Sequence, residues 1–177
     1  MHKAIFLDRD GVINQAYIFD SKPYPPKNIK ELIILPKTAE SLLRLSKAGY
    51  KLIIITNQPD VARGNIHKKE VDAIHQYLLL TLCLDAIFTC FHDDEQKCKC
   101  RKPLPGLIIE ASRIYNIDLK KSYVIGDRWK DIEAGHQAEC ATFFIDYQYN
   151  ERKPEYSEFQ VNSLQEATNI ILNGKCS

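Results

Sequence analysis

Two carboxylates separated by one residue come directly after the first aliphatic run of the chain. The segment FLDRDGVIN carries Asp8 and Asp10, which project to the same side while the backbone stays extended. Carboxylates this close repel each other, and a shared divalent cation compensates them; hard oxygen ligands suit Mg²⁺. Gly11 then permits a sharp turn. Considered alone, the motif is equally well interpreted as a solvated acidic turn.

Polar groups also follow later aliphatic runs. The run IIITNQ ends at Thr56, Asn57 and Gln58, which supply a hydroxyl and two amides. The run CRKP supplies Arg101 and Lys102, whose forked and point cations could hold the oxygens of a phosphoryl group. Each of these residues alone could equally be a turn, cap or surface residue.

A further acidic pair lies in the segment YVIGDRWKD. An aliphatic run followed by Gly-Asp places Asp127 at the end of a predicted strand, and Asp131 follows one helical turn later. Four strand ends therefore carry an acid pair, a hydroxyl, a cation and an acid. Coincidence explains this series poorly.

The polar residues that follow these strands can act together only in a fold that brings the carboxyl ends of the strands to one place. Short β-branched runs alternate with helix-like segments, and their near-continuous apolar character suits strands covered on both faces. Strands are predicted at Lys3–Leu7, Lys51–Ile55, Ala86–Thr89, Ser122–Ile125 and Ala141–Ile145. Helices are predicted at Thr38–Ala48, Lys68–Leu80, Leu107–Tyr115 and Ser163–Leu172, the last with a capping box of Ser163 and Glu166. The alternation indicates an α/β fold with a doubly wound parallel sheet, whose ligands bind beyond the carboxyl ends of the strands.

Four soft ligands lie between the third strand and CRKP. Cys90 and His92 are separated from Cys98 and Cys100 by five residues, a spacing that fits a closed tetrahedral structural Zn²⁺ site. Incidental cysteines on a surface loop are the alternative. A zinc knuckle for nucleic acid is disfavoured, since basic and aromatic residues are not interleaved here. The zinc loop would hold Arg101 and Lys102 in place, while the remaining cysteines are interpreted as ordinary thiols: Cys83, Cys140 and Cys176.

The composition is that of a globular domain and excludes the disordered class. The 177 residues are 45% apolar, and 24 Lys and Arg nearly balance 23 Asp and Glu. The protein therefore has no overall electrostatic field that would attract nucleic acid or a membrane surface. The sequence has no charged leader followed by a long apolar stretch, so we expect a cytoplasmic location. Residues 1–177 are expected to form one domain and a monomer.

In its motifs the chain resembles the haloacid dehalogenase superfamily of phosphohydrolases, from about Ala4 to Ile145. The matching positions are the D-x-D-G motif at 8–11, Thr56, Lys102 and the G-D-x-x-x-D motif that ends at Asp131. The resemblance implies a Rossmann-like fold. No large insertion interrupts these motifs, so we expect no separate cap domain, and loops alone would roof the site.

The resemblance also implies roles for single residues. Asp8 would be the nucleophile that forms a phosphoaspartyl intermediate, and Asp10 the general acid and base. Thr56 and Lys102 would hold the transferring phosphoryl group. Mg²⁺ would be bound by the carboxylates of Asp8 and Asp127 and by the main-chain carbonyl of Asp10. Asp131 would orient Lys102 or water on the metal.

Two subgroups of the superfamily carry a zinc loop at this place: the heptose-bisphosphate phosphatases and the bacterial histidinol-phosphatases. The segments TNQPDVARG and K-P-x-P-G favour the first subgroup. The five-residue zinc spacer resembles the second, and Arg128 and Pro59-Asp60 also depart from the first. The expected substrate is a small phosphorylated metabolite, foremost a sugar bisphosphate, with histidinol phosphate as the alternative.

Substrate contacts are expected from residues around the strand ends, namely Asn57, Gln58, Arg63, Arg101 and Arg128. A nucleic-acid 3′-phosphatase is disfavoured by the near-neutral charge. The non-enzymatic alternative is a catalytically silent, zinc-stabilised binding protein. It is disfavoured because every expected catalytic position holds a competent residue.

Overall fold

Aliphatic and β-branched runs form the strands of the protein in a computed structural model that describes residues 1–174. The strands are β1 (Lys3–Leu7), β2 (Tyr17–Phe19), β3 (Lys22–Tyr24), β4 (Tyr50–Asn57), β5 (Ala86–Cys90), β6 (Tyr123–Gly126), β7 (Ala141–Ile145) and β8 (Phe159–Val161). The helices are α1 (Thr38–Lys47), α2 (Lys68–Thr81), α3 (Gly106–Tyr115), α4 (Trp129–Gln137) and α5 (Leu164–Leu172). No helix of the described residues is both long and apolar enough to cross a membrane.

Six strands form one parallel sheet in the order β5-β4-β1-β6-β7-β8. Successive residues of β1 point to opposite faces: Ile5 and Leu7 pack with helices α1, α2 and α5, whereas Ala4 and Phe6 pack with α3 and α4. Burial on both faces explains the continuous apolar runs. The predicted doubly wound α/β fold is confirmed.

The order in which strands are added to the sheet reverses at β1. The chain places β4 and β5 on one side of β1, and it later places β6, β7 and β8 on the other side. At such a switch point the loops after neighbouring strands separate and leave a crevice. Asp8 follows β1, and its N–H donates a 2.9 Å hydrogen bond to the carbonyl of Ile125 in β6. The crevice therefore opens directly above Asp8.

Four elements are additional to those predicted. Strands β2 and β3 form a separate antiparallel hairpin, and β8 adds an edge strand beyond β7. Helix α4 begins at Trp129, within the segment that carries Asp127 and Asp131. The hairpin and the Pro-rich residues after it reach the crevice and form part of its roof.

The predicted capping box of α5 is only half formed. Ser163 Oγ accepts a 3.2 Å hydrogen bond from the N–H of Glu166, as expected. The Glu166 carboxylate accepts instead from the backbone N–H of Asn162 at 2.8 Å. Asn162 competes successfully because its side-chain amide donates to the same oxygen at 3.0 Å.

Candidate active site

The ammonium group of Lys102 bridges two carboxylates at the bottom of the crevice. Its Nζ lies 2.7 Å from Asp8 Oδ1 and 2.5 Å from Asp131 Oδ1, and it donates to the carbonyl of Ile55 at 2.8 Å. Burial lowers the pKa of Lys102, but Asp131 and Asp8 outweigh it, so the pKa is raised overall. A permanent buried cation therefore lies beside the Asp8 carboxylate.

Asp8, Asp127 and Asp131 bring three carboxylates within 4.8 Å of one another. The pKa of Asp8 is raised from 3.8 to about 6: burial is the main cause, Lys102 opposes the rise, and the charges of Asp131 and Asp10 add to it. Burial and the charges of Asp8 and Asp131 raise the pKa of Asp127 well above 3.8. Asp127 Oδ1 is buried without a hydrogen-bond partner among the described residues. Lys102 supplies one positive charge to these three carboxylates, so the set lacks two more. A divalent cation that prefers oxygen ligands, such as Mg²⁺, fits it.

The Asp10 carboxylate is held by donors on both oxygens. Arg9 donates from Nε and Nη2, the closest contact being 2.9 Å from Nη2 to Oδ2. Asn14 Nδ2 donates to Oδ1 at 2.9 Å and Gln58 Nε2 to Oδ2 at 2.8 Å. Asp10 still lines the crevice beside Asp8. A carboxylate fixed in this way can exchange a proton with a group above Asp8.

The three polar residues that end β4 have different contacts. Thr56 lines the crevice, and its Oγ1 accepts a 2.9 Å hydrogen bond from Gln58 Nε2. Asn57 also lines the crevice, but its amide clamps the backbone of Lys102 through bonds of 3.0 and 3.1 Å. Gln58 is buried, so the structure places it behind Asp10 and not at the substrate surface where we expected it.

Asp127 packs against two groups from distant parts of the chain. Tyr149 donates a 2.9 Å hydrogen bond from its hydroxyl to Asp127 Oδ2. A Cβ atom at Gly11 would lie 2.0 Å from the same oxygen, so a residue without a side chain is required there. The sequence did not indicate Tyr149, because it lies in an irregular segment beyond β7.

Two of the three predicted substrate arginines are held by the zinc loop. Arg63 lines the crevice and donates to Asp93 from Nε at 2.8 Å. Arg101 does not line it, because Asp94 accepts from its Nε at 2.7 Å and turns the guanidinium aside. Acidic residues of the zinc loop thus place one arginine at the crevice and withdraw the other.

Arg128 and Lys130 form the basic side of the crevice mouth. Glu151 accepts from Arg128 Nε at 2.9 Å. Burial lowers the pKa of Lys130, Asp94 opposes this, and the nearby Arg101 and Arg128 lower it further. No carboxylate of the described residues lies within ion-pair distance of Lys130. Sequence reasoning missed Lys130, although its place three residues after Asp127 was an available signal.

The four predicted zinc ligands meet at one point. Cys98 Sγ lies 3.6 Å from Cys90 Sγ and 3.4 Å from Cys100 Sγ, and His92 Nδ1 lies 3.3 Å from Cys100 Sγ. Zn–S bonds of about 2.3 Å place tetrahedral sulfurs about 3.8 Å apart. The donor set therefore fits Zn²⁺, and its last ligand is two residues from Lys102.

The remaining cysteines take no part in that cluster. Cys140 is buried, and burial raises the pKa of its thiol to about 12. Cys83 is exposed. Cys176 lies outside the described residues.

Comparison with known families identifies this arrangement. The sequence model of haloacid dehalogenase-like hydrolases matches residues 26–139. The chain belongs to this family. Membership confirms the resemblance inferred from the motifs.

Relatives within the haloacid dehalogenase-like hydrolases are similar over most of the chain. An enzyme of Helicobacter pylori strain ATCC 700392 / 26695 is 37% identical over 96% of this chain and 98% of its own length. One of Bordetella bronchiseptica is 38% identical over 81% of this chain and 80% of its own length. Both are named D-glycero-beta-D-manno-heptose-1,7-bisphosphate 7-phosphatase.

A solved structure of the family has the same fold. The crystal structure of D,D-heptose 1,7-bisphosphate phosphatase from B. bronchiseptica, complexed with magnesium and phosphate, superimposes with a TM-score of 0.80. Its sequence is 32% identical, and the match covers 97% of this chain and 98% of that one. The chain thus has a haloacid dehalogenase-like fold of matching length.

Proposed function

We propose that the protein is a Mg²⁺-dependent phosphomonoesterase that removes the 7-phosphate of a heptose 1,7-bisphosphate. The observation that carries the proposal is a crevice with cations at both ends, Lys102 beside Asp8 and Lys130 with Arg128 at the mouth. The names of the Helicobacter and Bordetella relatives support the same substrate.

In the first step an Asp8 oxygen attacks phosphorus, and the bond from phosphorus to the sugar oxygen breaks in line. Lys102 stabilises the charge that spreads over the phosphoryl oxygens. Asp10, which lines the same crevice, gives a proton to the leaving sugar oxygen. The product is an acyl phosphate on Asp8 and a free alcohol.

In the second step a water oxygen attacks the same phosphorus, and the bond from phosphorus to Asp8 breaks. Asp10 now accepts the proton of that water and returns to its starting form. Thr56 holds the phosphoryl group from the floor of the crevice. Asp131, which contacts Lys102 at 2.5 Å, keeps the ammonium group directed at the reacting oxygens.

The two metals would have separate tasks. Mg²⁺ held by the carboxylates of Asp8 and Asp127 and by the Asp10 carbonyl would neutralise charge repulsion between the carboxylates and the phosphate. The residues for Zn²⁺, Cys90, His92, Cys98 and Cys100, would fix the segment that leads to Lys102.

The basic mouth discriminates between the two candidate substrates. A sugar bisphosphate brings a second phosphate, which Lys130 and Arg128 can bind by charge-assisted hydrogen bonds. Histidinol phosphate brings an ammonium group to that end, where Lys130 would repel it. We expect kcat/KM for the bisphosphate to exceed that for histidinol phosphate about a hundredfold. A preference for histidinol phosphate would refute the substrate assignment.

A matched pair of variants tests the mouth. Lys130→Met should raise the KM for the heptose bisphosphate about tenfold, as expected for one lost charge-assisted contact. It should leave the KM for a sugar monophosphate unchanged. Lys47→Met, an exposed lysine in α1 outside the crevice, is the control for loss of charge alone.

The proposal extends to the organisation of the protein. Residues 1–177 would act as one domain, because one sheet carries the strand ends that form the crevice, and the protein would act as a monomer. A reducing cytoplasm is the compartment that keeps the cysteine thiols of the zinc cluster available to the metal.

A further inference from the structure

Arg9 is an unusual buried cation. Its side chain is fully buried and is the largest such side chain among the described residues. Every polar contact of its guanidinium is local to the site: Nε and Nη2 donate to the Asp10 carboxylate, and Nη1 contacts His75 Nε2 at 3.0 Å. The motif roles assigned above make no use of Arg9.

His75 reaches this site from another element. It lies in α2, 66 positions after Arg9 in the chain, and is 9% exposed. Burial, and next the Arg9 charge, lower the pKa of His75 from 6.5 to about 4. The imidazole is therefore neutral at physiological pH, and its Nε2 accepts the hydrogen bond from Arg9.

A guanidinium is planar and has its donors in a fixed fork. Two of its nitrogens hold the Asp10 carboxylate, and the third is fixed by His75. The imidazole thus prevents the guanidinium from turning, and the guanidinium in turn fixes the direction of the Asp10 oxygens. Asn14 and Gln58 supply only one further contact to each oxygen.

We propose that Arg9 and His75 are positioning residues for proton transfer by Asp10, with His75 acting through Arg9. The inference rests on the acid and base role proposed for Asp10. A general acid and base must stay within hydrogen-bond reach of the atom it serves in both half-reactions. The alternative is that Arg9 only neutralises a buried charge and His75 only fills space in α2.

The two readings differ in their dependence on the leaving group. An alkoxide needs a proton as its bond to phosphorus breaks, whereas the p-nitrophenolate of p-nitrophenyl phosphate leaves without one. Misplacing Asp10 therefore slows both half-reactions of the sugar phosphate. With the aryl ester it slows only the attack of water on the acyl phosphate of Asp8.

The decisive variant is His75→Leu, in the full zinc- and magnesium-loaded enzyme. We expect kcat for the heptose bisphosphate to fall about tenfold, a fraction of the whole effect of acid and base catalysis. With p-nitrophenyl phosphate we expect a burst of p-nitrophenol close to one equivalent per enzyme. His75→Gln retains an acceptor and should restore kcat to within about threefold of wild type.

A purely structural role predicts another result. Absence of the burst with p-nitrophenyl phosphate would overturn the inference, and so would a His75→Gln variant whose kcat is as low as that of His75→Leu. If His75→Leu does not fold, Arg9→Lys gives the same test, because it keeps the charge and loses the fork. Asp10→Asn separates a failure of this inference from a failure of the proposed function. If the effect of Asp10→Asn did not depend on the leaving group either, the acid and base role of Asp10 itself would be refuted.

Discussion

Lys102 Nζ lies 2.7 Å from Asp8 Oδ1, and both side chains are almost completely buried. The contact joins residues 94 positions apart, one after β1 and one after the zinc loop. An attacking carboxylate and an anionic phosphate would repel each other without such a cation. The contact therefore links the fold of the zinc loop to the reactivity of Asp8.

Removal of this cation should abolish most activity. We expect Lys102→Ala to lower kcat about a thousandfold, because a buried donor to the phosphoryl oxygens is lost. Asp131→Asn should lower kcat less, since it only loosens the ammonium group. Steady-state kinetics check both, with Lys47→Ala in α1 as the exposed lysine control. Near wild-type kcat for Lys102→Ala would contradict the role.

Gly11 and Gly64 form a matched pair for a test of the crowded carboxylates. Both have positive φ, at 93° and 74°, but only Gly11 has a neighbour that an added Cβ would strike, Asp127 Oδ2 at 2.0 Å. Gly64→Ala should cost about 1 kcal/mol of unfolding free energy from backbone strain alone. Gly11→Ala should cost more and should also weaken Mg²⁺ binding, measured by calorimetric titration. Equal effects of the two substitutions would contradict the contact.

Loss of one zinc ligand should destabilise the protein and impair catalysis indirectly. We expect Cys98→Ser to lose its zinc, measured by elemental analysis, and to lower Tm by more than about 5 °C. Activity should fall because Lys102 lies only two residues after the zinc ligand Cys100, so loss of the metal would release the segment that holds Lys102. Cys83→Ser, an exposed thiol outside the cluster, should match wild type in all three measurements. A metal-free Cys98→Ser protein with wild-type Tm would refute a structural zinc.

The buried imidazole predicts a stability that depends on pH. The pKa of His75 is about 4 in the folded protein and 6.5 when unperturbed, so the unfolded chain binds a proton first as pH falls. Stability is complete above pH 6.5 and is lost as pH falls toward about 4. Between pH 7 and pH 5 the loss is about 2 kcal/mol.

Urea unfolding at those two pH values measures this loss. We expect His75→Gln to remove about 2 kcal/mol of the pH dependence. His67→Gln, an exposed histidine just before α2, is the matched control and should behave as wild type. An unchanged pH dependence in His75→Gln would show that the imidazole is not buried in neutral form.

The fold was largely predictable because its signal is burial on both faces of a parallel sheet. Lys3–Leu7 and Ala141–Ile145 were predicted with the bounds that the structure has. The β2-β3 hairpin was missed because its side chains are mostly exposed, and its turn uses Asp20 and Ser21 at positive φ instead of Asn-Gly. Strand β8 has only three residues and gives no periodic pattern.

The site was predictable where residues follow strands that are neighbours in the sheet. Asp8, Thr56 and Asp127 meet for that reason, and the parallel order brings their ends to one edge. The contacts of Tyr149 and His75 join segments 22 and 66 positions apart, which no local pattern indicates. The sequence also carried no signal that Asp94 would bind the guanidinium of Arg101 and keep it out of the crevice.

The phosphoaspartyl intermediate is the central claim, and trapping it is the most direct measurement. The enzyme is mixed with a substrate carrying a radioactive phosphate, quenched in acid within milliseconds and digested, and the labelled peptide is sequenced. We predict label on the peptide that contains Asp8, and its absence in Asp8→Asn. With labelled p-nitrophenyl phosphate, whose leaving group needs no proton, the label should increase in Asp10→Asn, because only the attack of water is then slow. Label on another residue, or turnover by Asp8→Asn at the wild-type rate, would contradict the account.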